Sequence, residues 1–243
     1  SAVLAFTTIS FFILIINYIP ALKSLFPNYS LQLAGLIGNT SFLGIPIAIA
    51  LLPTDTINFT IGFDLGTTLF SWIFGPYLLK EKNNNYFFLN LRNLLFSIFN
   101  SPASRGILGV LIIYHFGIDD VLEDLLWIPA RFVIYLAIIV VGSRLGIIFN
   151  SKKKLFKLKT NLKYSLFLKL LILPTYIYVV SRMLNFQGIE VTALVLQAGT
   201  PSAISTILLA EAYKKQRDLA AQALLTTTII SSATIPLIFL IIK

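Results

Sequence analysis

The sequence predicts an all-α integral membrane protein, and three observations carry that prediction. Of its 243 residues 57% are hydrophobic and only 12% are charged, with a mean hydropathy of +0.86. Soluble domains carry roughly twice that charged fraction, so a globule this apolar would lack the charges to cover its surface. The apolar residues also fall into long runs separated by Pro, Asn and Lys. Finally, the basic residues gather in alternate loops between those runs.

A helix needs about 20 apolar residues to cross the hydrocarbon core. By that measure there are eight candidate spans, approximately 1–18, 31–52, 57–79, 103–117, 122–148, 162–184, 189–211 and 218–242. The fourth is short and has a second possible start near Leu94. Pro20, Pro53 and the run Asn83-Asn84-Asn85 interrupt the pattern where loops are needed.

The charges test this count independently. With the first span ending in the cytoplasm, the inner loops hold Lys23, then Lys80, Lys82, Arg92 and Arg105. They also hold Lys152, Lys153, Lys154, Lys157, Lys159 and Lys163, and finally Lys214, Lys215 and Arg217. The outer loops hold Arg182 and Lys243, beside the acidic stretch Asp119, Asp120, Glu123 and Asp124. Fourteen basic residues against two follow the positive-inside rule, so the +9 net charge is read as membrane orientation rather than nucleic-acid binding. A wrong span count would scramble this alternation. The expected location is a bacterial-type plasma membrane with the basic loops cytoplasmic.

An internal repeat runs through the chain. In one ungapped register Thr40 falls on Thr200, Thr67 on Thr227, Thr68 on Thr228, Ser71 on Ser231 and Pro76 on Pro236. Leu36, Ile47 and Ala50 fall on Leu196, Ile207 and Ala210. Aliphatic matches mean little in so apolar a chain, but polar and proline matches in one register are harder to obtain by chance. The matching segments lie an odd number of spans apart, the trace of an inverted-topology repeat. The same register pairs the sixth span with the first and leaves the fourth and fifth without partners. The intact protein is therefore expected to have ten helices in two halves of five (5+5), with this chain holding the last eight. Residues 1–93 would be the remainder of the N-terminal repeat, and 94–243 the C-terminal repeat.

Each half contains one span that reads badly as a continuous helix. The first carries Gly38-Asn39-Thr40-Ser41, then Gly44 and Pro46; the second carries Gln197, then Gly199-Thr200-Pro201-Ser202. Proline removes a backbone donor and glycine adds chain freedom, so both weaken a helix locally. In lipid, freed backbone groups are tolerated only where protein or a water-lined cavity satisfies them. Either break alone reads as a packing kink. Two at corresponding positions of an inverted repeat point to a shared midplane site, with half-helix N-termini offering positive dipole ends to an anion.

The stretch Gly38-Asn39-Thr40-Ser41-Phe42-Leu43-Gly44-Ile45-Pro46 resembles the fourth-helix signature of the auxin efflux carrier family, which includes plant auxin exporters and bacterial permeases. Ser101-Pro102 with Gly109, Lys169-Leu170 with Pro174, and Thr200-Pro201 followed by Leu208-Leu209-Ala210-Glu211-Ala212-Tyr213 support the likeness, which covers essentially the whole chain. The resemblance implies a ten-helix transporter fold with crossing broken helices and export of organic anions. It makes Asn39 a substrate-contacting asparagine and Pro201 the crossover proline. Plant members have proline immediately before that asparagine; here Gly38 stands there, so the first break is expected to differ in shape. Their long cytosolic loop is also absent.

The expected substrate-binding residues are Asn39, Thr40, Gln197, Thr200, Pro201 and Ser202, with Thr68 and Thr228 chosen because the repeat pairs them. Hydroxyls at Thr67, Thr226, Thr227, Ser231 and Ser232 serve either helix packing or the cavity wall. Gly38, Gly44, Pro46, Gly199 and Pro201 make the breaks. Asp64 lies about 10 Å from the outer end of its span at 1.5 Å per residue, where an acid is costly and a functional candidate by default. It is the candidate for proton or ion coupling, the alternative being an ion pair with Arg131. Arg144 and Lys169 lie about a turn from inner helix ends, where long side chains snorkel to the interface.

No cysteine is present, and His115 is the single histidine, which excludes disulfides, thiolate nucleophiles and His-pair metal motifs. No phosphate-binding loop occurs either. No catalytic residue, metal or cofactor is expected, and the chain is not read as an enzyme. The expected partners are a small organic anion and the lipid bilayer, with a homodimer as the allowed oligomer. The leading function is secondary transport by alternating access. A receptor or scaffold that keeps the fold without transporting is the alternative.

Overall fold

Apolar runs set the helix boundaries. In the computed structural model, residues 1–79, 102–118 and 160–242 are described, with scattered helical positions between 122 and 146. Helix α1 spans Ala2–Tyr18 and ends before Pro20, which opens the short α2, Pro20–Leu25. Proline suits a first helical turn because its missing N–H would be unpaired there anyway. Next comes α3, Tyr29–Leu36, followed by a π turn, Thr40–Gly44, and α4, Ile45–Leu51. Helix α5 is continuous over Ile57–Leu79 and α6 covers Pro102–Phe116. Then α7, Thr160–Phe167, passes through a second π turn, Leu168–Ile172, into α8, Leu173–Met183. The chain ends with α9, Gly188–Ala198, α10, Ile204–Ala212, and α11, Arg217–Ile242.

These bounds follow seven of the eight expected spans; the span expected over 122–148 lies mostly outside the described residues. Among the described residues, two helices are long and apolar enough to cross a membrane: Thr160–Met183 and Arg217–Ile242. The segments around Thr40 and Gln197 are shorter pieces because the chain breaks there. Pro76 and Pro236, matched by the repeat, both sit inside long helices. No strand occurs among the described residues, only an isolated antiparallel bridge between Gly38 and Ser202.

Both π turns have one local cause. A proline follows each at the same offset, Pro46 and Pro174, in the first turn of the next helix. The ring clashes with the carbonyl four residues back, and the chain relieves the clash by widening the preceding turn. Ile45 N–H accordingly bonds Thr40 O, and Leu173 N–H bonds Leu168 O, each five residues back rather than four.

The core is built around α3 and α9. Every residue from Ser30 to Leu36 and from Val191 to Ala198 is buried, so both half-helices are enclosed on all sides. A helix that is apolar all round needs such a position. Helix α1 shields this centre on one side, with Phe6 edge-on to Phe70 and Phe74 of α5. Asn17 donates to Gln32 Oε1 at 2.9 Å, and Gln32 in turn donates to Phe26 O at 2.9 Å, which ties α1 to the buried half-helix. The outward faces stay apolar: Leu14 is 69% exposed and Ile241 81%. In water such a surface would drive association; a lipid environment accommodates it.

Candidate functional site

The two breaks meet. Asn39 N–H donates to Pro201 O at 2.7 Å and Ala203 N–H to Ile37 O at 3.0 Å, so the unwound segments satisfy each other as one rung of antiparallel pairing. This answers where the freed backbone groups go in a medium without water. The glycines serve close approach rather than unusual dihedrals, since neither has a positive φ among the described residues. A Cβ on Gly38 would stand 2.4 Å from Thr200 Oγ1, and one on Gly44 would stand 2.2 Å from Gln197 Oε1. The expectation that glycine loosens these helices is therefore replaced by a steric requirement. Pro46 lies past the break, in the first turn of α4.

The hydroxyls of the second break are satisfied internally. Thr200 Oγ1 donates to Gln197 O at 2.7 Å, and Ser202 Oγ to Ala34 O at 2.6 Å. Ser202 N–H donates to Thr227 Oγ1 at 3.0 Å. Gly199 caps α9 with its N–H on Val195 O. These groups brace the crossover, and none of Thr200, Pro201 and Ser202 lines the larger cavity beside it. Gln197 is fully buried against Gly44 with both amide atoms unpartnered, and it too stays off that cavity wall.

The larger cavity, about 300 Å³, opens beside the first break. Asn39, Thr40, Ser41 and Thr68 line it with Trp72 of α5, and Ala203, Ile204 and Ser205 close it from the start of α10. Asn39 is 3% exposed, and its Nδ2 has no hydrogen-bond partner. An unpaired buried amide costs roughly 1–3 kcal/mol, a cost a polar ligand would remove. The first turn of α10 has no side-chain cap; Ala203 and Thr206 N–H are bonded to Ile37 O and Ala203 O, which leaves the N–H groups of Ile204 and Ser205 open to an acceptor. The wall thus offers neutral donors and a helix N-terminus, together with an indole and aliphatic side chains. That combination suits a small ligand with one anionic end and an apolar body.

Asp64 borders this cavity through its partners. Its Oδ1 accepts from Thr40 Oγ1 and from Ser41 Oγ, both at 2.6 Å, and Thr68, one turn further along α5, is within hydrogen-bond reach of the carboxyl. The acid therefore holds the π turn of the broken helix. Arg131, the alternative partner expected from the sequence, lies outside the described residues, as does Arg144.

Two side chains lie elsewhere than the sequence suggests. Lys169 does not snorkel: it is 1% exposed, and its Nζ donates to Ala198 O at 2.7 Å, at the end of α9. It sits in the second π turn, whose extra residue turns that side chain inward. Only the early place of proline, five positions on, hinted at this. Thr228 does not join Thr68 at the cavity; its hydroxyl donates to Leu224 O at 2.7 Å within its own helix. Glu211 pairs with Arg217 at 3.6 Å, both about half exposed, in keeping with an interfacial role.

The sequence profile of a family described as membrane transport protein matches residues 88–239. An uncharacterized transporter of Methanocaldococcus jannaschii is 24% identical over 208 residues, covering 85% of this chain. The chain spans 66% of that relative's length.

Proposed function

We propose, from the premise that this chain belongs to the auxin efflux carrier family of membrane transport proteins, that it carries a small organic anion across a membrane. Family membership makes it an integral membrane protein. The observation that carries the substrate reading is the cavity of about 300 Å³ between the first break and the start of α10, with the unpartnered Asn39 amide in its wall. Asn39 and Thr68 contact the anion together with the open N–H groups of α10. Thr40 and Ser41 couple it to Asp64, which takes up a proton during the cycle.

In this reading the complete protein has ten helices as two inverted halves, divided near residue 93, and the basic loops face the cytoplasm. Alternating access arises from movement about the paired breaks, which hold each other through two backbone hydrogen bonds rather than through a continuous helix. The repeat matches from Thr40/Thr200 to Pro76/Pro236 support the arrangement.

The test is flux into liposomes containing the full-length protein, across a panel of radiolabelled organic acids, with and without a proton gradient. Saturable uptake of at least one acid, lost in Asn39→Ala, is the expected result. Binding with no flux of any panel member would overturn transport and leave a receptor in its place.

A further inference from the structure

Lys169 is the largest fully buried side chain among the described residues, and the transport reading gives it no task. Its surroundings define one. Helix α9 ends at Ala198, and the last carbonyls of a helix lack intrahelical partners and carry its negative dipole end. Lys169 Nζ meets one of them, Ala198 O, at 2.7 Å. The same Nζ lies 2.9 Å from where a Cβ on Gly38 would stand, so the glycine at the first break leaves the space that the ammonium enters. No carboxylate forms an ion pair with Lys169 among the described residues. The nearest acid in the chain of contacts is Asp64, on the far side of Thr40: Thr40 lines the small void beside Lys169 and bonds Asp64.

Helix C-terminal ends and unwound carbonyls at the midplane of a carrier are where coupling cations bind. Here the Ala198 carbonyl meets Lys169, and Thr8, Thr40 and Thr67, the last two donating to Asp64 Oδ1 and Phe63 O, border the void with their hydroxyl-bearing side chains nearby. Such oxygens suit a hard cation. Yet the space left beside Lys169 is about 10 Å³, room for one water at most. We infer that the Lys169 ammonium is the resident cation of the crossover, standing where a co-transported alkali-metal ion would bind, so that the carrier works without one. The inference rests on the transport reading for its consequence, while the occupancy of the site is tested without transport.

Thermal unfolding of the full-length protein in detergent, with sodium chloride titrated against choline chloride at constant ionic strength, provides that test. The wild-type midpoint should be the same in both salts. Lys169→Ser removes charge and bulk, so its midpoint should fall in choline and recover with sodium, rising with each tenfold increase in concentration as a bound ligand requires. Lys169→Met keeps most of the bulk without the charge; its midpoint should fall in both salts and ignore sodium. A sodium-specific rise in the wild type overturns the inference. So does a Lys169→Ser midpoint indifferent to sodium, or a Lys169→Met midpoint equal to wild type. If Lys169→Ser cannot be isolated, the wild-type and Lys169→Met results still decide.

Flux separates the two proposals. Organic-acid uptake that requires a sodium gradient overturns the resident cation and leaves the carrier standing. Absence of any acid flux overturns the carrier, while the midpoints still report on the site.

Discussion

The two broken segments resemble each other in sequence and differ in chemistry. Around the second, each hydroxyl has a backbone partner: Thr200 on Gln197 O, Ser202 on Ala34 O, and Thr227 on the Ser202 N–H. Around the first, Asn39 Nδ2 has no partner, and Thr40 and Ser41 converge on a carboxylate instead of on backbone. The second segment spends its hydroxyls on holding the crossover and buries the unpartnered Gln197 amide away from the cavity, while the first leaves the Asn39 amide unpartnered in the cavity wall. Matching sequence positions therefore do not have matching surroundings. In the proposed carrier, the segment whose polar groups reach the cavity does the recognising, and the segment that keeps off it braces the crossover.

The largest expected effect comes from disturbing the approach of the two segments. Gly38→Ala places a methyl 2.4 Å from Thr200 Oγ1 and 2.9 Å from Lys169 Nζ, both held by hydrogen bonds. Overpacking of this kind costs about 1–3 kcal/mol. The variant should unfold at a clearly lower temperature and carry no solute. Gly44→Ala meets only the tip of Gln197, which has no partner to lose, so its midpoint should fall less. Equal losses for both would show that Gln197 is as fixed as Thr200, and would break the contrast between the segments.

Asp64→Asn comes next and tests the working side. The amide oxygen can still accept from Thr40 and Ser41, so the π turn should keep its shape, with a stability loss within about 1 kcal/mol. An amide cannot take up the proton, so the coupling step is lost, and each 1.4 kcal/mol of that step is about tenfold in an equilibrium. Acid flux should therefore drop on the order of tenfold and lose its response to a proton gradient. Wild-type gradient dependence in this variant would remove Asp64 from the coupling role.

Ser202→Ala should do the reverse. It deletes the 2.6 Å bond to Ala34 O and leaves a buried carbonyl short of a donor, for a loss of about 1 kcal/mol. Flux corrected for the amount of folded protein should stay at the wild-type level, because Ser202 does not line the cavity. A flux loss beyond the stability loss would move the second segment into the binding site.

Much of this fold is legible in the sequence. Long apolar runs and proline positions mark helix ends, and the breaks near Asn39 and Pro201 stand out because Gly, Pro and polar residues interrupt those runs. What was not legible depends on contact. Counting residues placed Lys169 a turn from an aqueous end, but its depth is decided by the π turn ahead of Pro174 and by the α9 carbonyl it meets. The same counting left Asp64 with Arg131 as its alternative partner, whereas the π turn at Thr40–Gly44 brings two hydroxyls onto it. Periodicity assumes 3.6 residues per turn; where a turn takes an extra residue, the facing of every later side chain changes.

Thr228 gives the smallest expected effect and the sharpest use of the repeat. Sequence symmetry pairs it with Thr68, yet Thr68 faces the cavity while Thr228 donates to Leu224 O in its own helix. Local back-bonding of this kind contributes little to helix stability, so Thr228→Ala should change the unfolding free energy by less than about 0.5 kcal/mol and leave flux intact. Thr68→Ala, the same chemical change at the paired position, should lower acid flux with a similarly small change in stability. If instead the two substitutions reduce flux equally, both halves of the repeat line the transport path during the cycle. The asymmetry between the segments would then belong to one conformation rather than to the carrier as a whole.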